Sequence, residues 1–266
     1  MGPNPSRRLR DAFVRANRAL TPEGWRHLAF QVCLFGSFEL VYALCGLYGR
    51  AHSAEAVANA RALFGFEQRV GVAWEHGLQD WVVHGPAMLL ELANRTYFLS
   101  QFSVSTLFLL WLYVRRHRQF PLVRNALLAA NYVSLVVLFV YPLAPPRLVP
   151  GGGFADTLDA NAVNLHSRLI DALNDPYSAM PSLHASYAVV LGAAGVALTR
   201  PLWLKVVWFL YPPLVVYSVI ATGNHFVLDV VGGVVVLAAT PVVGWAAGRA
   251  AAGVRREQTP AASFRT

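Results

Sequence analysis

Charge is scarce in this chain. Only 14% of its 266 residues are Asp, Glu, Lys or Arg, against about 25% in an average soluble domain. Lysine is nearly absent: of 22 cationic residues, all but Lys205 are Arg. The two cysteines, Cys33 and Cys45, lie twelve residues apart, roughly 18 Å along a helix and too far for a mutual disulfide. They read as small packing residues. No C-x-x-C or similar spacing occurs, which excludes a cysteine-based metal site. No nucleic-acid-binding motif is present. The net charge of +8 therefore points to anionic lipid head groups and membrane orientation, not to nucleic acid. The N-terminus lacks a cleavable signal pattern, so its basic stretch is expected to be retained.

What is abundant is apolar sequence, 56% of the chain. The expected fold is all-α: a polytopic membrane protein with a six-transmembrane-helix bundle and an amphipathic N-terminal helix. Residues 1–28 form a basic segment in which Leu9, Phe13, Val14 and Leu20 share a helical face, suited to the inner leaflet. Residues 29–248 are the six-helix transmembrane catalytic domain, and 249–266 a disordered tail. Spans are expected over Leu28–Tyr48, Pro86–Val114, Ala126–Leu143, Ser182–Leu198, Leu202–Ala221 and His225–Ala247. Residues 50–82 mix charge with apolar positions and read as interfacial helices, and a short helix is expected near Asn161–Leu173. Glu39 sits mid-span and is expected to face the bundle interior. Glu91 and Arg95 can pair at i, i+4. Asn94, Tyr97 and Gln101 form a polar stripe, either interhelical glue or a pocket wall. Ala185, Ala188, Gly192, Gly195 and the Gly244/Gly248 pair are packing faces, which leaves a homodimer as a candidate.

Orientation follows from counting. With the N-terminus inside, sixteen cationic residues fall on the inner side and five on the outer, which by the positive-inside rule puts both termini in the cytoplasm. Arg147, His184 and His225 then stand together at the extracytoplasmic ends of spans 3, 4 and 6.

Those residues carry chemistry. His225 and Asp229 stand at i and i+4 on one helical face, and a carboxylate inside a membrane helix costs roughly 2.5–3.5 kcal/mol unless it has a partner and a task. Pro181-Ser182-Leu183-His184 opens an apolar run, and helix N-termini bind phosphate oxygens. Gly223-Asn224 is expected to open the last span with exposed amides in the same way. Arg147 offers a planar fork for phosphate. One histidine can attack phosphorus while the other protonates the leaving oxygen; His225 is assigned as nucleophile because it shares a face with Asp229, and His184 as general acid. Neither metal nor cofactor is required. His27, His52, His76, His84, His117 and His166 read as surface or interfacial residues, and Tyr187 and Tyr217 as core.

Pro142-Leu-Ala-Pro-Pro-Arg147, Ala179-Met-Pro-Ser-Leu-His184 and Thr222-Gly-Asn-His-Phe-Val-Leu-Asp229 together resemble the type 2 phosphatidic acid phosphatase (PAP2) superfamily, in particular its branch similar to inositol phosphorylceramide synthases. The resemblance implies a phosphohistidine at His225, supported by Asp229, with His184 as acid and later activator of the acceptor. It implies an anionic phospholipid or polyprenyl phosphate as substrate in the plasma membrane, with phosphatase or phosphotransferase activity. Two cations of the phosphatase branch are missing: Val219 stands where it has Arg, and Val140 where it has Lys. Ser182, Thr222 and Asn224 are candidates to replace them at the phosphate. Two rival readings use the same residues: a metal-dependent hydrolase with both histidines and Asp229 as ligands, and a non-enzymatic lipid transporter with a His–Asp proton relay.

Overall fold

The computed structural model describes residues 14, 17, 20–157, 176–238 and 249. Among these the secondary structure is helical, apart from one isolated bridge between Leu143 and Ser178. The elements are α1 (Trp25–Ala51), α2 (Ser53–Val70), α3 (Glu75–Val83), α4 (Ala87–Arg115), α5 (Phe120–Val140), α6 (Leu183–Leu198), α7 (Leu202–Ala221) and α8 (Val227–Ala238). Four of them, α1, α4, α5 and α7, are long and apolar enough to cross a membrane, while α6 and α8 are shorter apolar helices. The expected sixth span reaches Ala238, and its remainder to Ala247 lies outside the described residues. So do most of the amphipathic N-terminal segment, the helix expected at 161–173, the Gly244/Gly248 pair, His166 and most of the tail.

Helix boundaries follow local chemistry. Pro121 occupies the first turn of α5, where its missing N–H is no loss. The helix therefore starts six residues before the expected Ala126, and it stops at Val140 ahead of Tyr141-Pro142. A π-turn interrupts α4 at Ser100–Val104. There the Ser100 carbonyl accepts from Ser105 Oγ at 3.3 Å and Tyr211 Oη at 3.0 Å, side chains that compete for the helical ladder.

Helix α6 lies at the centre, against α5, α7 and α8. Phe108, Leu112, Leu127, Leu191 and Leu198 form the main core there. Gly192 and Gly195 lie directly against Pro212 and Trp208 of α7, so the small-residue face of α6 is consumed inside the chain. Tyr187 is core, hydrogen-bonded to Asn131 of α5. Outward positions are apolar: Phe102, Leu107, Val140, Leu202 and Phe209 are all at least 67% exposed, a surface suited to lipid and not to water.

Helix α1 is the loosest element. It buries Gln31, Phe38, Gly46 and Gly49 and leaves Glu39 exposed. This corrects the interior placement of Glu39. One residue past Phe38 is a rotation of about 100° around the helix, which puts Glu39 at the rim of the bundle-facing side and not inside it. Glu91 and Arg95 do pair, at 2.5 Å, on an exposed face where such bridges contribute little.

Candidate active site

The site is assembled at the start of α6, the start of α8 and the loop after α5. Ser182 caps α6: its Oγ accepts from the Ala185 amide at 3.3 Å, and its own amide donates to the Asp229 carbonyl at 2.9 Å. The two helices can approach this closely because position 233 is glycine. A Cβ there would lie 2.4 Å from the Ser182 carbonyl oxygen, and Ser186 Oγ donates to the Gly233 carbonyl at 3.0 Å.

Between α7 and α8 the chain turns on Gly223, at φ +67°. The Gly223 amide donates to Ile220 O and the Asn224 amide to Val219 O, the Schellman arrangement that closes a helix and favours glycine at its left-handed position. The His225 amide also donates to Val219 O, at 3.1 Å. The turn presents His225 to His184: the two rings meet edge to face with centroids 5.9 Å apart. Tyr97 stacks on His184 with ring centroids 4.4 Å apart.

His225 Nδ1 stands 3.5 Å from Asp229 Oδ2. That oxygen already accepts from the Phe226 amide at 2.9 Å. His225 Nδ1 and Asp229 Oδ1 are both buried without a hydrogen-bond partner among the described residues. The ring and the carboxylate are thus adjacent, with no hydrogen bond between them in this structure.

Arg147 sits on the short turn Pro146–Leu148. Its amide donates to Gly223 O at 2.9 Å, its Nε to Asn224 Oδ1 at 2.9 Å and its Nη1 to Asp156 Oδ2 at 2.8 Å. Asn224 Nδ2 in turn donates to Thr222 Oγ1 at 2.7 Å, and Thr222 Oγ1 to Ser218 O at 2.7 Å. The hydroxyls of Ser182 and Thr222 and the amide of Asn224 are thus engaged in holding the backbone and Arg147. Asn94 is buried and pairs with Thr157, so of the polar stripe it is the interhelical glue. Gln101 is half-buried on the π-turn, and no hydrogen bond among the described residues joins it to the histidines.

The amides of the last helix are not free for phosphate, contrary to expectation. Three carboxylates from three places occupy them: Asp229 takes the Phe226 amide, Glu75 Oε1 the Val227 amide at 3.2 Å, and Glu67 Oε1 the Leu228 amide at 2.7 Å. Orphan N–H groups and the positive end of the helix dipole make this a favourable seat for negative charge. Glu67 and Glu75 are fully buried. Burial first, and the neighbouring Glu75 carboxyl second, push the Glu67 carboxyl up to about 9. Counted as two carboxylates, the pair leaves an oxygen of each unsatisfied; one retained proton lets one carboxyl donate to the other. Gln79 completes the frame. It donates to Ala155 O at 3.0 Å and Ala221 O at 3.3 Å and accepts from the Ala155 amide.

Glu67, Glu75 and Gln79 were not singled out from sequence. The available signal was weak: the spacing Ala56, Ala60, Glu67 puts Glu67 on a small-residue face, but Ala54, Ala58, Ala62 and Gly65 make a second such face on the same helix. A hollow of about 610 Å³ lined by Arg61, Gln68, His76, Gly152, Phe154 and Phe226 opens beside this frame, and neither histidine of the pair lines it.

No curated protein and no solved structure matches the chain. The sequence model described as the PAP2 superfamily matches residues 61–243, a stretch that contains Glu67, Glu75, Arg147, His184, His225 and Asp229 and covers more than half of the chain. With the three motifs brought to one site inside that stretch, the chain belongs to the PAP2 superfamily.

Proposed function

We propose that this protein transfers the phosphoryl group of an anionic lipid, a phospholipid or polyprenyl (pyro)phosphate, to water or to another lipid's hydroxyl through a phosphohistidine at His225. The observation that carries the reading is the edge-to-face approach of His184 and His225 at 5.9 Å, with Asp229 behind one ring and Tyr97 against the other. A single phosphorus between two such rings meets a nucleophile on one side. On the other it meets an acid within the ~2.6–3.2 Å reach that proton transfer needs.

In the first half-reaction the His225 Nε2 lone pair attacks phosphorus as the P–O bond to the lipid breaks. His184 gives its proton to the departing oxygen. Asp229 holds the Nδ1 proton of His225 and stabilises the charge that develops on the ring. In the second, His184 takes a proton from water or a lipid hydroxyl, whose oxygen displaces His225 and restores the enzyme. Arg147 binds the phosphoryl oxygens through the guanidinium donors left over from Asn224 and Asp156, aided by the amides at the start of α6. No metal takes part in these steps.

The charge distribution supports a bundle of six spans in the plasma membrane with both termini cytoplasmic and the histidines at the extracytoplasmic face. Purified protein offered a panel of lipid phosphates in chelator, with phosphate release and new lipid products measured together, tests the activity and separates hydrolysis from transfer. His225→Ala and His184→Ala are each expected to lose turnover while eluting as folded protein. Full activity in either variant ends the proposal.

A further inference from the structure

Opposite the histidine pair, the Trp25 end of α1 meets the Arg115 end of α4 and the Phe120 end of α5. Helix α5 separates the two regions, and its 21 residues span about 31 Å. Here His27 and His117, read from sequence as surface residues, are only 27% and 23% exposed and converge on Glu23. Their ligand atoms all lie within 4.8 Å of one another.

The tautomers of both rings follow from their neighbours. His117 Nδ1 lies 3.0 Å from the Tyr113 carbonyl oxygen. A carbonyl only accepts, so Nδ1 carries a hydrogen, and Nε2 lies 2.7 Å from Glu23 Oε1, a hydrogen-bond distance at which Nε2–H donates unless an ion takes the place of the proton. Arg124 Nη1 donates to Gln31 Oε1 at 2.8 Å, which fixes the Gln31 amide so that its NH₂ faces His27 Nε2 at 3.0 Å. An NH₂ only donates. His27 Nε2 is therefore an acceptor, and His27 Nδ1–H donates to Tyr113 Oη at 3.1 Å. His27 Nε2 also lies 3.3 Å from Glu23 Oε2, and an ion bound there takes the lone pair that Gln31 holds in this structure.

Two imidazole Nε2 atoms and one carboxylate thus converge on the same small volume. Each ring is anchored through its other nitrogen, as the supporting shell of a metal site anchors it. Zinc–ligand distances of about 2.0–2.2 Å put neighbouring ligand atoms of a tetrahedral site roughly 3.3 Å apart; here His27 Nε2 is 3.3 Å from one oxygen of Glu23, His117 Nε2 is 2.7 Å from the other, and one ligand atom from each residue lies within 4.8 Å of the rest. The half-exposed Glu23 side chain can take up the difference. We infer that Glu23, His27 and His117 bind a divalent transition-metal ion of the zinc class, with water as fourth ligand. It staples the loosely packed α1 to the turn between α4 and α5. Imidazole and carboxylate suit such ions, whereas magnesium and calcium prefer oxygen alone. The site is independent of the proposed reaction, which lies a helix length away.

The test uses full-length protein with a histidine-free tag, in detergent, stripped with chelator and desalted. Zn²⁺ titration by calorimetry is expected to give one ion per chain. Co²⁺ is expected to give the intense visible bands of a tetrahedral site, a readout that needs no variant. His27→Ala and His117→Ala should each weaken Zn²⁺ binding by about 100-fold or more. Glu23→Gln, at a position too exposed to unfold the chain, should weaken it by at least about 10-fold, whereas Gln31→Leu, which frees His27 Nε2 from its hydrogen bond, should not weaken it. His184→Ala should leave it unchanged. Absence of saturable binding in the wild type, meaning that a proton alone bridges the cluster, would overturn the inference. So would binding that survives in His27→Ala and Glu23→Gln, or that is lost in His184→Ala instead.

Discussion

Glu67 Oε1 accepts a hydrogen bond from the Leu228 amide at 2.7 Å, joining positions 161 residues apart. With Glu75 on Val227, it fixes the first turn of the helix that carries Asp229 from outside that helix. The geometry of the candidate site therefore depends on a part of the chain that lies outside the three motifs.

Replacing Glu67 separates its shape from its charge. Glu67→Gln keeps an acceptor for the Leu228 amide and is expected to retain most stability and turnover. Glu67→Ala strands a buried amide and should cost about 1–3 kcal/mol, read as a lower melting temperature in detergent. A larger loss in the Gln variant than in Ala would contradict this account.

The same carboxyl sets a pH dependence. Its pKa is raised in the folded protein to about 9 from about 4.3 unfolded, so the folded state holds the extra proton between those values. Stability is greatest below the unfolded pKa and falls as pH rises through the folded one. Melting temperature should decline between roughly pH 5 and pH 9, and Glu67→Gln should flatten that decline. An unchanged slope in the variant would remove Glu67 as its source.

Asp229→Asn preserves an oxygen for the Phe226 amide but cannot stabilise a charged His225 ring. Turnover should drop by about 10²–10⁴-fold with little change in melting temperature. Activity within a few-fold of wild type would show that the carboxylate serves only as a helix cap.

Arg147→Lys retains charge but loses the fork that reaches Asn224, Asp156 and phosphate at once. A fall in kcat/KM of about 10–100-fold is expected, read as transition-state stabilisation lost. A variant with unaltered kinetics would place phosphate binding elsewhere.

Gly233→Ala would put a methyl 2.4 Å from the Ser182 carbonyl and force α8 away from α6. The expected cost is about 1–3 kcal/mol, and turnover should fall because His184 sits on α6 and His225 on the turn that leads into α8. A folded, fully active variant would show that their spacing tolerates this shift.

Periodicity and composition were enough to recover most helices: Leu202–Ala221 was placed to the residue and Leu183–Leu198 within one, because a continuous apolar run bounded by proline or glycine leaves a helix few alternatives. The i, i+4 spacing anticipates His225 and Asp229 as neighbours, but the helix begins at Val227, two residues after the expected start, so the turn before it and not a shared helical face brings His225 to the carboxylate; the three motifs announced the histidine pair. Sequence could not reveal which polar groups would already be occupied. Ser182, Thr222 and Asn224 look available for phosphate as residue types, yet each is engaged by backbone or by Arg147 once the loops close. Glu67 and Glu75 look like solvated charges on interfacial helices, yet folding buries both at the end of α8. His27 and His117 are ninety residues apart, and only the packing of α1 against α5 brings their ring nitrogens together. Local pattern determines which segments are helical because hydrogen bonds within a helix are short-range. Where a buried polar atom finds its partner is set by long-range packing, and that the tertiary structure alone decided.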